Sequence, residues 1–164
     1  MLPPVRKAAA LRAMPPRELA QHRFVLPVRV YYQDTDAGGV VFHARYVNFF
    51  ERARTEWLRE IGFSVRELAE QEKVLFIVRE LHVRYLKPAV LDDELGVTTA
   101  IEHLGFVSLT LEQRVMRGGE MLVHASVNLA CVSADVLKPV RVPPHVRSAL
   151  EEDVRRALIE QEDA

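Results

Sequence analysis

Tyr31-Tyr32-Gln33-Asp34-Thr35-Asp36-Ala37-Gly38-Gly39-Val40-Val41-Phe42-His43-Ala44-Arg45-Tyr46-Val47-Asn48-Phe49-Phe50-Glu51 is the stretch where one backbone period gives way to another. Ahead of it, residues 24–32 carry Val25, Val28, Val30 and Tyr32 among polar residues. That pattern predicts a strand, which Pro27 confines to a sheet edge or a bulge. Behind it, across 44–61, Tyr46, Phe49, Phe50, Ala53, Trp57 and Ile61 recur every three or four residues, while Glu51, Arg52, Arg54, Glu56 and Arg59 point elsewhere. This is the pattern of a long helix with one apolar stripe, closed by Gly62 in the left-handed position usual after a helix end. A strand that breaks at two acids and two glycines and restarts as a helix is where chemistry is expected.

Further along, Ser64 can cap a short helix over 64–72 by accepting from the amide near Glu67. The period then becomes two. Residues 74–85 are rich in branched and aromatic side chains, and their apolar phase switches near Arg79, from Val74, Phe76 and Val78 to Leu81, Val83 and Tyr85. A bulge accounts for the switch. Strands follow over 95–101, 107–115 and 121–131, with Gly118-Gly119 as the hairpin turn between the last two. After Pro143-Pro144, Val146, Leu150, Val154 and Leu158 mark an amphipathic helix.

The order is strand, long helix, then four antiparallel strands, which makes this an α+β chain. A curved antiparallel sheet wraps around the central helix and buries Phe49, Phe50 and Trp57. The sheet's other face still carries apolar side chains, so a homo-oligomer is expected. The organisation reads as a mobile N-terminal extension over 1–22, the main domain over 23–142 and a C-terminal amphipathic helix over 143–164.

Composition limits the alternatives. With 164 residues, 49% of them hydrophobic, the chain can build one sizeable core. A net charge of -1 with interspersed signs argues against nucleic acid as a partner. Cys131 is the single cysteine, so no intramolecular disulfide forms, and a cytoplasmic setting is expected. Its apolar neighbours Ala130 and Val132 suit a buried thiol. No apolar run approaches the roughly 18 residues of a membrane span, and Ala8-Ala9-Ala10-Leu11 is stopped by Arg12. His82, His103, His124 and His145 recur every 21 residues, but their flanking residues do not repeat. No paired-cysteine or His-Glu-x-x-His motif is present, so neither metal nor cofactor is expected.

Asp34 and Asp36 admit three readings. They are turn formers beside glycine, or a divalent-metal pair lacking the further oxygen ligands of a calcium loop, or part of a site for acyl chemistry. The third uses the glycines, which let a ligand approach the backbone, and the helix start, whose first amides are unpaired and partly positive. A carboxylate serves there as general base or nucleophile while the amides hold the oxyanion. A thioester suits such sparse machinery, since a thiol of pKa about 8.5 leaves without a strong general acid.

The run from Asp34 to His43, with Tyr46 and Phe49-Phe50-Glu51-Arg52-Ala53-Arg54-Thr55-Glu56, resembles the active-site signature of 4-hydroxybenzoyl-CoA-type thioesterases. More narrowly, it resembles the YbgC-like acyl-CoA thioesterases associated with the Tol-Pal system. The likeness extends over 24–140 and takes in Tyr85-Leu86-Lys87-Pro88-Ala89 and Leu91-Asp92-Asp93. It implies the hotdog fold, an acyl-CoA substrate, no cofactor, and Asp36 as the catalytic carboxylate with Asp34 in a supporting or turn role. It also implies that the His43 amide polarises the thioester carbonyl, that the His43 ring positions substrate or water, and that Tyr32 lines the site. A homotetramer built as a dimer of dimers is implied, with an acyl carrier protein or Tol-Pal-linked components as partners. Phe42 departs mildly from the pattern, standing where a tyrosine is frequent. Arg79, Arg84, Lys87, Lys138 and Arg141 are the cations available to the phosphates of coenzyme A. A hotdog hydroxyacyl dehydratase and a non-catalytic acyl-carrier scaffold are the competing functions.

Overall fold

The strand ahead of the junction ends sooner than its pattern predicts. In the computed structural model, which describes residues 24–163, β1 spans Phe24–Arg29, and Tyr32–Asp34 wind into a 3-10 turn. The Tyr31 amide donates to Asp34 Oδ2 at 2.8 Å, a local bond that takes the backbone out of the ladder. The extension expected over 1–22 lies outside the described residues.

The remaining elements are α1 (Arg45–Glu60), α2 (Val65–Glu70), β2 (Val74–Tyr85), β3 (Glu94–Leu104), β4 (Ser108–Arg117), β5 (Glu120–Ser133) and α3 (Pro144–Glu162). All strand pairs are antiparallel, in the order β1-β3-β4-β5-β2. β1 is therefore an edge strand, where Pro27 opposite Gly96 is tolerated. β2 is the other edge. Its register jumps from Val78 opposite Leu129 to Glu80 opposite Asn128, so Arg79 is the extra residue, and Phe76, Leu81 and Val83 all pack on one core. Gly118, at φ +59°, and Gly119 join β4 to β5 between the paired Arg117 and Glu120.

α1 lies against this sheet as its stripe predicts, with Tyr46, Phe49, Phe50, Ala53 and Trp57 all buried. Each large side chain so removed from water is worth roughly 1.5–3 kcal/mol. Gly62, at φ +110°, turns the chain after the helix, and Ser64 and Glu67 form a reciprocal capping box on α2. From α3, Val146 and Leu150 enter the same core, and Trp57 Nε1 donates to Asp153 Oδ2 at 3.1 Å.

Among the described residues Asp34, Thr98, Thr99 and Gln113 are polar and buried, and Gln113 is the one that ties helix to sheet. Gln113 occupies an inward position of β4 between Leu111 and Val115 and is fully buried. Its Nε2 donates to the Phe50 carbonyl at 3.0 Å and to Thr99 Oγ1 at 2.9 Å, while its Oε1 accepts from Arg54 Nη1 at 3.0 Å. The amide thus fastens the middle of α1 to the sheet.

Candidate active site

After the 3-10 turn the chain doubles back. Asp36 N donates to Val40 O at 2.9 Å, Thr35 bridges Val41, and Phe42 N donates to Asp34 O at 2.9 Å. Asp36 thereby stands at the tip of a tight hairpin and Phe42 at its base, one residue before His43. Gly39 adopts φ +77°, which glycine reaches without a side-chain clash. Gly38 N donates to Asp36 Oδ1 at 2.8 Å, and a Cβ on Gly38 would stand only 3.1 Å from that oxygen. Both glycines serve the turn that presents Asp36.

The two aspartates differ in their partners. Asp34 is buried, with Oδ2 accepting from Tyr31 N and Oδ1 facing Arg45 Nε at 3.4 Å. Asp36 is exposed, and only its Oδ1 is engaged. Among the described residues its Oδ2 has no partner. One acid holds the turn together, and the other offers a carboxylate oxygen to solvent.

Two tyrosines hold the base of the hairpin. Tyr85, the last residue of β2, donates from its hydroxyl to the His43 carbonyl at 2.8 Å, and its ring meets the His43 ring edge-on at 6.4 Å. Tyr46 lies edge-on to Tyr85 at 5.7 Å, and its oxygen accepts from Ala89 N at 3.0 Å. Ala89 O in turn accepts from Val41 N at 2.9 Å, and Val40 bridges Val90. Burial raises the pKa of both tyrosines, which keeps the Tyr85 hydroxyl a neutral donor. The loop bearing Ala89 is itself anchored, since Arg117 binds Asp93 at 2.9 Å, Glu120 at 2.6 Å and the Pro88 carbonyl at 3.2 Å.

His43 and Ala44 lead directly into α1, and among the described residues their amides find no backbone acceptor. The His43 ring is exposed beside Phe42, at 4.5 Å between centroids. Asp36 and His43 are thus brought onto one hairpin-to-helix junction. Tyr32 is not joined to them. It is 84% exposed in the 3-10 turn, and no hydrogen bond or ring contact links its side chain to either residue among the described ones. The sequence reading gave Tyr85 and Tyr46 no site role of their own, since the first closes a strand and the second reads as core stripe, although both fall in the runs that carry the family resemblance. The available clue was Tyr85 at the head of the Tyr-Leu-Lys-Pro-Ala run.

Beneath α1 a cavity of about 250 Å³ opens between helix and sheet, walled by Phe76, Val78, Leu111 and Leu129, with Glu51 and Arg54 on the helix side. Of the candidate phosphate cations, Lys87 is paired with Glu120 at 2.9 Å, and Arg141 lies over the Phe106 ring at 5.3 Å.

The model of the thioesterase-like superfamily matches residues 30–150. The acyl-CoA thioesterase YbgC of Haemophilus influenzae is 48% identical over 126 residues, which are 77% of this chain and 93% of that protein. The acyl-CoA thioester hydrolase YbgC of Escherichia coli O6:H1 is 47% identical over 124 residues, 75% of this chain and 92% of its own length. Among solved structures, a DHNA-CoA thioesterase from Staphylococcus aureus matches with a TM-score of 0.75 at 25% identity, covering 85% of this chain and 94% of that one.

Proposed function

Since this chain belongs to the thioesterase-like superfamily, we propose that it hydrolyses acyl-CoA to a free acid and coenzyme A, with Asp36 as the reacting carboxylate. It is a thioester hydrolase, a family activity named for relatives 47–48% identical to it, of whose length it covers 92–93%. The observation that supports the catalytic assignment is the contrast at the hairpin: a free Asp36 oxygen at its tip, and acceptor-less amides at the helix start where it ends.

In this reading the thioester carbonyl oxygen accepts from the His43 amide. Tyr85 fixes the direction of that segment by holding the His43 carbonyl. Asp36 either draws a proton from water as it attacks the carbonyl carbon, or attacks directly and is released by water. The C–S bond breaks, and coenzyme A departs as a thiolate. Charge that develops on the carbonyl oxygen meets donors already in place, which is the main source of rate in acyl transfer. The His43 ring positions substrate or water, and Tyr32 lines the approach from the preceding turn.

The working unit is an oligomer. β2 is a 12-residue edge strand that exposes Ile77 and Val78, and its unpaired backbone suits addition of a second copy's strand. A dimer of dimers follows if the outer sheet faces also pair. An acyl carrier protein or a Tol-Pal-linked component are the partners that the family resemblance suggests. No helix among the described residues is long and apolar enough to cross a membrane.

Free-thiol release across a panel of acyl-CoAs tests the reading. Hydrolysis of at least one member is expected. Enoyl product or tight binding without release would point to a dehydratase or a scaffold instead.

A further inference from the structure

We propose that Arg117 is a positioning residue for hydrolysis: it sets where the Asp36 carboxylate points, acting through the loop over 86–93 and touching no substrate. The inference rests on the reading of Asp36 as the reacting carboxylate and adds what holds that group on target.

The hairpin that carries Asp36 leans on this loop. Val40 bridges Val90, and Val41 N donates to Ala89 O at 2.9 Å. Val40 O in turn accepts from Asp36 N at 2.9 Å. A shift of residues 88–90 is therefore handed to Asp36 in two steps.

Backbone bonds tie the two ends of the loop. Leu86 N and Lys87 N donate to Leu122 O at 2.8 and 3.0 Å, while Asp92 N donates to Val30 O at 3.1 Å and Val30 N to Asp93 O at 3.0 Å. The middle, which bears the hairpin, is held by side chains. Tyr46 takes Ala89 N, and Arg117 Nη1 donates both to Pro88 O at 3.2 Å and to Asp93 Oδ2 at 2.9 Å. The same Asp93 oxygen accepts from Val90 N at 2.9 Å. Between these contacts Asp92 stands at φ +68°, a conformation that a residue with a side chain keeps only where its surroundings hold it.

The arrangement suits a guanidinium. Nη1 serves the two loop acceptors while Nη2 donates to Glu120 Oε1 at 2.6 Å, and Glu120 Oε2 also binds Lys87 Nζ at 2.9 Å. A planar fork reaches such diverging acceptors in one pose, whereas an ammonium is a single point. Glu120 thus fixes Arg117 on the sheet, Arg117 fixes the loop, and the loop fixes the hairpin. Tyr85 differs in acting on the His43 carbonyl, the donor side of the reaction. Misplacing a reacting group by about 1 Å costs on the order of a hundredfold in rate, so a distant strut can govern turnover.

A double-mutant cycle read by free-thiol release from acyl-CoA tests this, with turnover taken per folded molecule from melting curves of the same samples. In the wild type, Arg117→Met should lower kcat about tenfold or more with KM changed less than about twofold, and Arg117→Lys should recover part of the loss. In an Asp36→Asn background the residual rate no longer depends on where that carboxylate points. There Arg117→Met should lower kcat by less than about twofold. Equal losses in the two backgrounds would make the role merely structural and overturn the proposal. No loss in the wild type, or a rise in KM that accounts for all of it, would overturn it as well. Each of those outcomes leaves the hydrolase reading standing, whereas wild-type turnover in Asp36→Asn alone would remove the Asp36 assignment and this inference with it.

Discussion

Asp34 and Asp36 are the same residue type two positions apart, yet their oxygens face different surroundings. Asp34 has both oxygens occupied inside the fold, and Asp36 has one held by a turn amide and one open. The spacing made the pair legible but not its division of labour. The partners that separate them, Tyr31 N and Arg45 Nε, lie outside the Asp-x-Asp unit on either side. Tyr85 was harder still to find, because its contact with His43 spans 42 residues of sequence. Its role is to orient a backbone segment. Tyr85→Phe should lower kcat about tenfold with KM little changed, because in the proposed mechanism the lost hydroxyl acts on the donor that meets the transition state and not on substrate binding. Steady-state kinetics at several substrate lengths checks this, and an equal change in KM would assign Tyr85 to binding.

Among the elements, those with strong periods were readable in advance. α1 begins and ends within one residue of its stripe, Ser64 caps α2, and the phase switch in β2 falls at Arg79, where the bulge is. β1 was read too long because side-chain capping by Asp34 competes with strand pairing and leaves little trace in hydropathy. Gln113 shows the other limit: an inward amide breaks the apolar alternation of β4, and only three-dimensional partners explain it.

β5 also carries a titration. Cys131 is fully buried, and burial pushes its thiol from 9.0 up to about 11. The unfolded chain then loses that proton before the folded one, so stability is full below pH 9 and falls as pH rises from about 9 to about 11. Denaturant titrations across that window should show a steeper alkaline decline for the wild type than for Cys131→Ala. Parallel declines would contradict the assignment.

For the molecule as a whole, the sheet that wraps α1 has one edge closed in character by Pro27 and another left open along β2. The sequence anticipated an oligomer from leftover apolar surface. The structure locates exposed apolar residues, Ile77 and Val78, on the open edge strand. Ile77→Lys should shift sedimentation toward the monomer, since a lysine on an edge strand opposes strand addition. It should lower activity in proportion if the site needs both copies. Unchanged sedimentation would place the interface elsewhere. The central claim, that Asp36 does the chemistry and Asp34 holds the turn, is tested most directly by free-thiol release from Asp36→Asn and Asp34→Asn, with melting temperature read on the same samples. An asparagine at 36 keeps the Oδ1 that accepts from Gly38 but loses the charge. Its turnover should therefore fall by about a thousandfold at an unchanged melting temperature. Asp34→Asn should lose about 1–3 kcal/mol of stability and keep turnover per folded molecule. Wild-type turnover in Asp36→Asn would contradict the account.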